Sequence, residues 1–76
     1  RHMICRTLDG DERYLTFGGE YRYYTAEYKE QFLLLPLREA EVVVSQLNEY
    51  ARAGHEVMKA YMKDLASTDF PEYSVV

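Results

Sequence analysis

The sequence predicts an α+β fold, in which a small antiparallel sheet of three or four strands packs on one long C-terminal helix. Apolar residues recur at alternating steps of four and three through the second half, which is the spacing of one helix face. Short β-branched and aromatic runs between glycine turns fill the first half, as expected for strands. The apolar helix face comprises Ala40, Val44, Leu47, Ala51, Gly54, Met58, Tyr61 and Leu65.

The first strands follow from turn signals. We expect a strand at residues 3–8, a turn at Asp9-Gly10-Asp11 and a return strand at residues 13–17, because Asp-Gly is a strong hairpin signal. Gly18-Gly19 should end that strand, since paired glycines interrupt regular structure. Residues 20–24 are rich in tyrosine and predict a further short strand at the edge of the sheet.

The middle of the chain changes character twice. Residues 25–30 are polar and predict an irregular segment with at most one helical turn. Residues 31–35 are a mostly apolar run ended by Pro36, which predicts a strand buried on both faces. Residues 67–76 contain Asp69-Phe70-Pro71, and we expect them to form a loosely docked tail.

The helix should run over about residues 37–66, which at 1.5 Å per residue is about 45 Å. A compact chain of this size is about 30 Å across, so the helix should project beyond the domain. Gly54 allows two interpretations: a helix that continues with a bend, or a helix that ends there and is followed by a strand. The apolar spacing crosses Gly54 without losing phase and favours continuation.

Size and composition predict one domain over residues 1–76. Cys5 is the only cysteine, so no internal disulfide can form, and we expect a cytoplasmic protein with no membrane segment. Arg1 and His2 resemble the remnant of a cloning site, and we expect them to have no part in function. The net charge of −4 argues against a general nucleic-acid binder, which would normally be basic.

No catalytic, metal or cofactor signature stands out, and we expect no enzyme. Cys5 beside Arg6 could have a lowered thiol pKa, but nothing in the sequence supplies a base, so a buried structural cysteine is favoured. His55 and Glu56 are neighbours on a helix and point in different directions, which favours a solvated histidine. One histidine with scattered carboxylates does not predict a metal site.

The aromatic residues supply the best candidate for a binding surface. The chain has eight tyrosines and no tryptophan. Tyrosine and arginine are enriched at protein-binding hot spots, and on a sheet they can also stack nucleic-acid bases. They could equally pack only on the helix or on a dimer mate. The predicted partner-binding residues are Tyr14, Tyr21, Arg22, Tyr23, Tyr24 and Tyr28.

The layout also resembles that of small bacteriophage and prophage accessory proteins. The residues that carry the resemblance are Asp9-Gly10-Asp11-Glu12-Arg13-Tyr14-Leu15-Thr16, Gly19-Glu20-Tyr21 and Leu33-Leu34-Leu35-Pro36-Leu37-Arg38-Glu39-Ala40-Glu41. It is a likeness of pattern over roughly residues 3–45, and the long second half departs from it. The resemblance implies a protein that binds and blocks a host protein, including a defence nuclease, in the cytoplasm of the host cell.

The sequence therefore predicts a non-enzymatic protein-binding module that inhibits or modulates a host protein. The alternative is a nucleic-acid-binding or regulatory protein that uses the same sheet. Because a domain of this size is marginal alone and its helix should project, we also expect a homodimer. Its predicted interface comprises Ala51, Gly54, Met58, Tyr61 and Leu65.

Overall fold

In the computed structural model, which describes residues 1–62 and 69–76, four antiparallel strands form one sheet beside a single long helix. The predicted α+β class is confirmed. The strand order across the sheet is β3-β2-β1-β4, so the last strand of the chain lies beside the first. The elements are β1 Ile4–Leu8, β2 Asp11–Leu15, β3 Tyr21–Arg22, a 3₁₀ turn Ala26–Tyr28, α1 Leu37–Tyr61 and β4 Glu72–Val75.

The β1–β2 hairpin forms where the Asp-Gly signal predicts it. Asp9 and Gly10 have φ values of 52° and 80°, and positive φ at both positions matches the twist of a two-residue hairpin turn. Leu8 pairs with Asp11 directly across the turn, so β2 begins two residues earlier than expected. The short β3 at the sheet edge and the single 3₁₀ turn also follow the sequence expectations.

The prediction of a strand at residues 31–35 is wrong. The segment is not a strand buried on both faces, because it makes only two isolated bridges, Thr16 to Phe32 and His2 to Leu35. Phe32 is buried, whereas the Leu34 side chain remains 49% exposed. The apolar run thus joins the β2 side of the sheet to the start of β1. Gln31 and Leu34 are exposed, Phe32 is buried, and the two remaining leucines are half-buried.

Helix α1 passes through Gly54 without interruption, so the alternative of a helix ending there is wrong. It begins at Leu37 as expected and ends at Tyr61, with Met62 already extended. Residues 63–66 of the predicted helix lie outside the described residues. At 1.5 Å per residue the helix is about 37 Å long, close to the 41 Å longest dimension of the molecule.

The prediction that residues 67–76 form a loosely docked tail is also wrong at residues 72–75. Residues 72–75 form β4, which pairs along β1 from Ile4 opposite Val75 to Thr7 opposite Glu72. Tyr73 and Val75 are half-buried while Glu72 and Ser74 are exposed, which is the period-two pattern of a strand. In the sequence, this alternation covers only four residues and follows Asp69-Phe70-Pro71, so it was too short to predict a strand. Residues 67–68 lie outside the described part of the chain.

The side chain of Asn48 connects the helix to β4. Its Nδ2 donates to the Tyr73 carbonyl oxygen at 2.9 Å, and its Oδ1 accepts from the Tyr73 backbone N–H at 2.8 Å. On an edge strand, the outward backbone N–H and C=O groups are normally unpaired, so another chain can pair with them. Asn48 therefore occupies the place that a further strand would take at Tyr73.

The buried core is small. Among the described residues, the buried apolar side chains are those of Ile4, Cys5, Phe32 and Ala40, and Thr16 is the one buried polar residue. Cys5 is a free thiol, 3.7 Å from the Thr7 hydroxyl and 3.8 Å from a Glu12 carboxylate oxygen. No helix in the described part of the chain is long and apolar enough to cross a membrane.

Candidate functional site

The structure divides the predicted tyrosine cluster between the two faces of the sheet. Successive strand residues point to opposite faces, so the register decides which side chains can act together. Tyr14 pairs with Arg22, and Leu15 pairs with Tyr21, so Tyr14 and Tyr21 lie on opposite sides. We call the side that carries Tyr21 the tyrosine–arginine face, defined by Arg6, Arg13, Tyr21, Tyr23 and Tyr73.

One end of the tyrosine–arginine face is a compact group of three side chains. The Arg13 guanidinium lies 4.6 Å from the Tyr23 ring centre and donates to the Tyr23 hydroxyl at 3.1 Å. That hydroxyl donates to the Asp11 carboxylate at 2.9 Å, and Arg13 also pairs with Asp11 at 3.4 Å. We call these three side chains, Asp11, Arg13 and Tyr23, the Tyr23 group. The group is half-exposed, and its hydrogen bonds fix the Tyr23 ring at the surface.

The other end joins strands that are not neighbours. Tyr21 in β3 and Tyr73 in β4 bring their ring centres within 6.0 Å, across the width of β2 and β1. The Arg6 guanidinium lies over the Tyr21 ring, 5.9 Å from its centre. Burial, followed by the neighbouring Tyr73 hydroxyl, raises the pKa of Tyr21 above its ordinary value of 10.0. The Tyr21 phenol is therefore a neutral hydrogen-bonding group at physiological pH.

The two arginines of this face are direct cross-strand neighbours, because Arg6 pairs with Arg13 in the β1–β2 ladder. Like charges placed directly opposite each other destabilise a sheet. Asp11 offsets the charge of Arg13, and among the described residues no carboxylate forms an ion pair with Arg6. The face therefore keeps a local positive charge within an acidic protein.

On the opposite side of the sheet, Tyr14 and Tyr24 form a ring cluster with Phe32, in which the Tyr24 side chain is 62% exposed. Tyr24 stacks on Phe32 with ring centres 5.3 Å apart, and Tyr14 meets Tyr24 edge-on at 5.7 Å. Burial is the main cause of a raised pKa at Tyr14. Tyr14 and Tyr24 thus both contact the buried Phe32 ring.

Arg22 and Tyr28 form a separate pair on that opposite side. The guanidinium lies 5.0 Å from the Tyr28 ring centre and is ion-paired with Glu20. Of the six residues predicted for partner binding, Tyr21 and Tyr23 therefore belong to the tyrosine–arginine face. The other four lie with the packed rings or in this separate pair.

The acidity of Asp11 gives a test of the Tyr23 group. The hydrogen bond from Tyr23, then that from Arg13, holds the pKa of Asp11 below its ordinary value of 3.8. A lowered carboxyl pKa stabilises the fold above pH about 4, and that contribution is lost as the pH falls through the folded-state pKa. Tyr23→Phe removes the hydroxyl and keeps the ring, so the pKa of Asp11 should rise toward 3.8.

The measurement is an NMR titration of the Asp11 carboxyl carbon in the original protein and in Tyr23→Phe. Tyr24→Phe is the matched control, since the Tyr24 ring stacks on Phe32 rather than on the Asp11 group. An Asp11 pKa that is the same in Tyr23→Phe and in the original protein would show that the hydroxyl contact does not hold in solution.

The residues predicted for the dimer interface lie along the second half of α1. Ala51 is half-buried, whereas Gly54, Met58 and Tyr61 are exposed. Leu65 lies outside the described residues. His55 lies beside Phe70, with ring centres 4.6 Å apart, so this histidine packs against the segment that leads into β4.

Sequence reasoning missed Arg6, Arg13 and Tyr73 as members of the site. The Asp-Gly turn does set the β1–β2 register, so the pairing of the two arginines was accessible from the sequence. Tyr73 was not accessible in this way, because it joins the face only through the pairing of β4 with β1.

The described residues do not bring together a group of three or more histidine, cysteine, aspartate or glutamate side chains that could hold a metal ion. What the tyrosine–arginine face can do chemically is stack on flat groups, donate hydrogen bonds and attract a negative charge. Comparisons with protein-family models, with curated proteins and with solved structures find no match to this chain.

Proposed function

We propose that this protein is a non-enzymatic binding module that contacts another protein through its tyrosine–arginine face. The observation that carries the proposal is the Tyr23 group, in which a ring that is 50% exposed is held by Arg13 and Asp11. Tyrosine and arginine dominate hot spots because they offer large contact areas with polar tips. A ring already fixed in place loses little conformational freedom on binding.

A protein partner fits the charges better than a nucleic acid. Binding to phosphates normally needs several cations, whereas this face offers Arg6 and Arg13, the second already paired with Asp11. The whole chain carries a net charge of −4, which would repel a polyanion. The second candidate is a nucleic-acid-binding or regulatory role, which the adjacent Arg6 and Arg13 and the neighbouring Tyr21 and Tyr73 rings favour.

The biological setting of the proposal rests on the resemblance to phage and prophage accessory proteins. In that setting the partner is a host protein, such as a component of a defence system, and binding inhibits or modulates it in the host cytoplasm. We further propose that the protein acts as a homodimer, since its core is small and much of α1 is exposed.

The test is affinity capture from a bacterial host lysate with the immobilised protein, followed by quantitative mass spectrometry. We expect a protein that the original chain retains and that Tyr23→Ala loses about 10-fold or more, as for a hot-spot residue. Phe17→Ala is the matched control, because Phe17 is a 72% exposed aromatic residue outside the tyrosine–arginine face. Both variants should keep the original circular dichroism spectrum.

Nuclease treatment and salt separate the two candidates. A protein complex should survive nuclease and change little between about 50 and 200 mM salt, whereas phosphate binding should weaken steeply. Equal capture by the original chain and Tyr23→Ala contradicts the use of this face. Loss of capture upon nuclease treatment supports the nucleic-acid candidate instead.

A further inference from the structure

Helix α1 carries a second apolar stripe beside the face that meets the sheet. Its members follow one another at steps of four, three, four, three and four, which keeps them on one side of the helix. None of them is charged. We call it the lateral stripe, and it consists of Val43, Leu47, Tyr50, Gly54, Val57 and Tyr61.

Strand β4 and Phe70 before it contact the neighbouring face of α1. Ala40 is buried, Val44 and Ala51 are half-buried, and Asn48 and His55 make the contacts to Tyr73 and Phe70. At 3.6 residues per turn, the lateral stripe is turned away from this face by about a quarter of the helix circumference. Leu47, which is half-buried, lies on the border between the two.

The large side chains of the lateral stripe are open to solvent. Tyr50 is 70% exposed, Val57 58% and Tyr61 83%. With about 150–250 Å² for each fully buried aromatic side chain, the stripe exposes roughly 400 Å² per copy. That is as large as the largest apolar patch on a typical monomer, and such patches are often contact surfaces.

Gly54 has no role within the chain that explains its position. A Cβ atom added there meets nothing within 4 Å, and the residue lies in the interior of a helix without positive φ. Glycine is among the poorest helix formers, so this position weakens the helix without any gain inside the monomer. A glycine on a helix surface does allow another helix to approach closely.

We infer that a second copy of this chain covers the lateral stripe, with the two α1 helices antiparallel and Tyr50 of each copy seated over Gly54 of the other. The inference rests on the homodimer proposed above and specifies its interface. Antiparallel pairing places Leu47 opposite Val57 and Val43 opposite Tyr61. Parallel pairing would instead set tyrosine against tyrosine and glycine against glycine, which leaves both a clash and a gap.

The area fits a weak dimer. A pair of stripes buries roughly 800 Å², below the 1,200–2,000 Å² of stable complexes and within the range of weak encounters. We therefore expect a dissociation constant on the order of 10–100 µM. The small buried core gives a further reason for association, since small domains often gain stability from oligomerisation.

The central test is Gly54→Gln. Glutamine is a far better helix former, so the monomer should melt about 2–5 °C higher when measured near 1 µM, where the dimer is dissociated. The added side chain occupies the place of the partner's Tyr50, so the dimer should weaken at least about 10-fold in sedimentation equilibrium. A misfolded variant could not show both effects.

Two controls locate the interface. Gln46→Ala changes an exposed polar residue of α1 outside the lateral stripe, and it should leave self-association unchanged. In a Cys5→Ser background, mixing Leu47→Cys chains with Val57→Cys chains should give the mixed disulfide as the main cross-linked product. Disulfides between two Leu47→Cys chains, or between two Val57→Cys chains, should form more slowly, because antiparallel pairing keeps those cysteines apart.

The outcomes separate the inference from the homodimer itself. An original chain that stays at its 9.0 kDa monomer mass up to about 500 µM refutes both. A dimer that Gly54→Gln does not weaken refutes the lateral stripe and leaves the homodimer standing. Cross-linking mainly between two Val57→Cys chains refutes the antiparallel arrangement.

Discussion

Replacing Ile4 with alanine should remove a large part of the free energy of unfolding of this protein. Ile4 is fully buried, and truncating such a side chain to alanine costs about 2–5 kcal/mol in the free energy of unfolding. The total free energy of unfolding of a domain of this length is only about 4–11 kcal/mol. Since the buried core is so small, neighbouring residues have few ways to fill the cavity.

The measurement is thermal unfolding followed by far-UV circular dichroism, with an expected drop of about 10–25 °C in the melting temperature. Leu34→Ala is the matched control, because the Leu34 side chain is half-exposed and its loss should cost about 1 kcal/mol or less. A drop of less than about 3 °C for Ile4→Ala would contradict the position of Ile4 in the core.

The second large effect should come from Asn48→Ala. The substitution removes both hydrogen bonds to the backbone of Tyr73, which leaves a donor and an acceptor of β4 without partners. Losing such bonds at a part-buried site costs about 1–3 kcal/mol. The opened edge of β4 should also promote aggregation, because an unpaired strand edge can pair with another chain.

Amide hydrogen exchange gives a readout at the site of the change. The Tyr73 amide should exchange at least about 10-fold faster in Asn48→Ala, because its acceptor is gone. Gln46→Ala, an exposed polar position on the same helix, should leave that rate unaltered. Unchanged exchange at Tyr73 in Asn48→Ala would show that the contact between α1 and β4 is absent in solution.

The predictable parts of this fold are those with local signals. Asp9-Gly10 defines a hairpin by its own turn conformation, and the phase of apolar residues carries α1 through Gly54. The segment 31–35 was mispredicted because an apolar run has the same appearance in a buried strand and in a connection with mixed surroundings. Only the tertiary structure separates Phe32, which is buried, from Leu34, which is half-exposed.

The candidate site was predicted in composition but not in arrangement. Tyr21 and Tyr23 were among the predicted residues, yet the pleat of the sheet sends Tyr14 to the opposite side. Tyr73 enters the site through a pairing between residues about 70 positions apart, and no local pattern predicts which strand will neighbour which. The sequence alone therefore could not assemble the tyrosine–arginine face.

The pairing of the last strand with the first has a consequence for the order of folding. The β1–β2 hairpin joins residues a few positions apart and can form while the chain is still being synthesised. The other side of β1, which pairs Ile4 with Val75, stays open until residues 72–75 have been made. Closing so long a loop is slow, so β4 should dock last. Until then the nascent chain presents an unpaired edge at its most buried strand, and folding competes with aggregation at that edge.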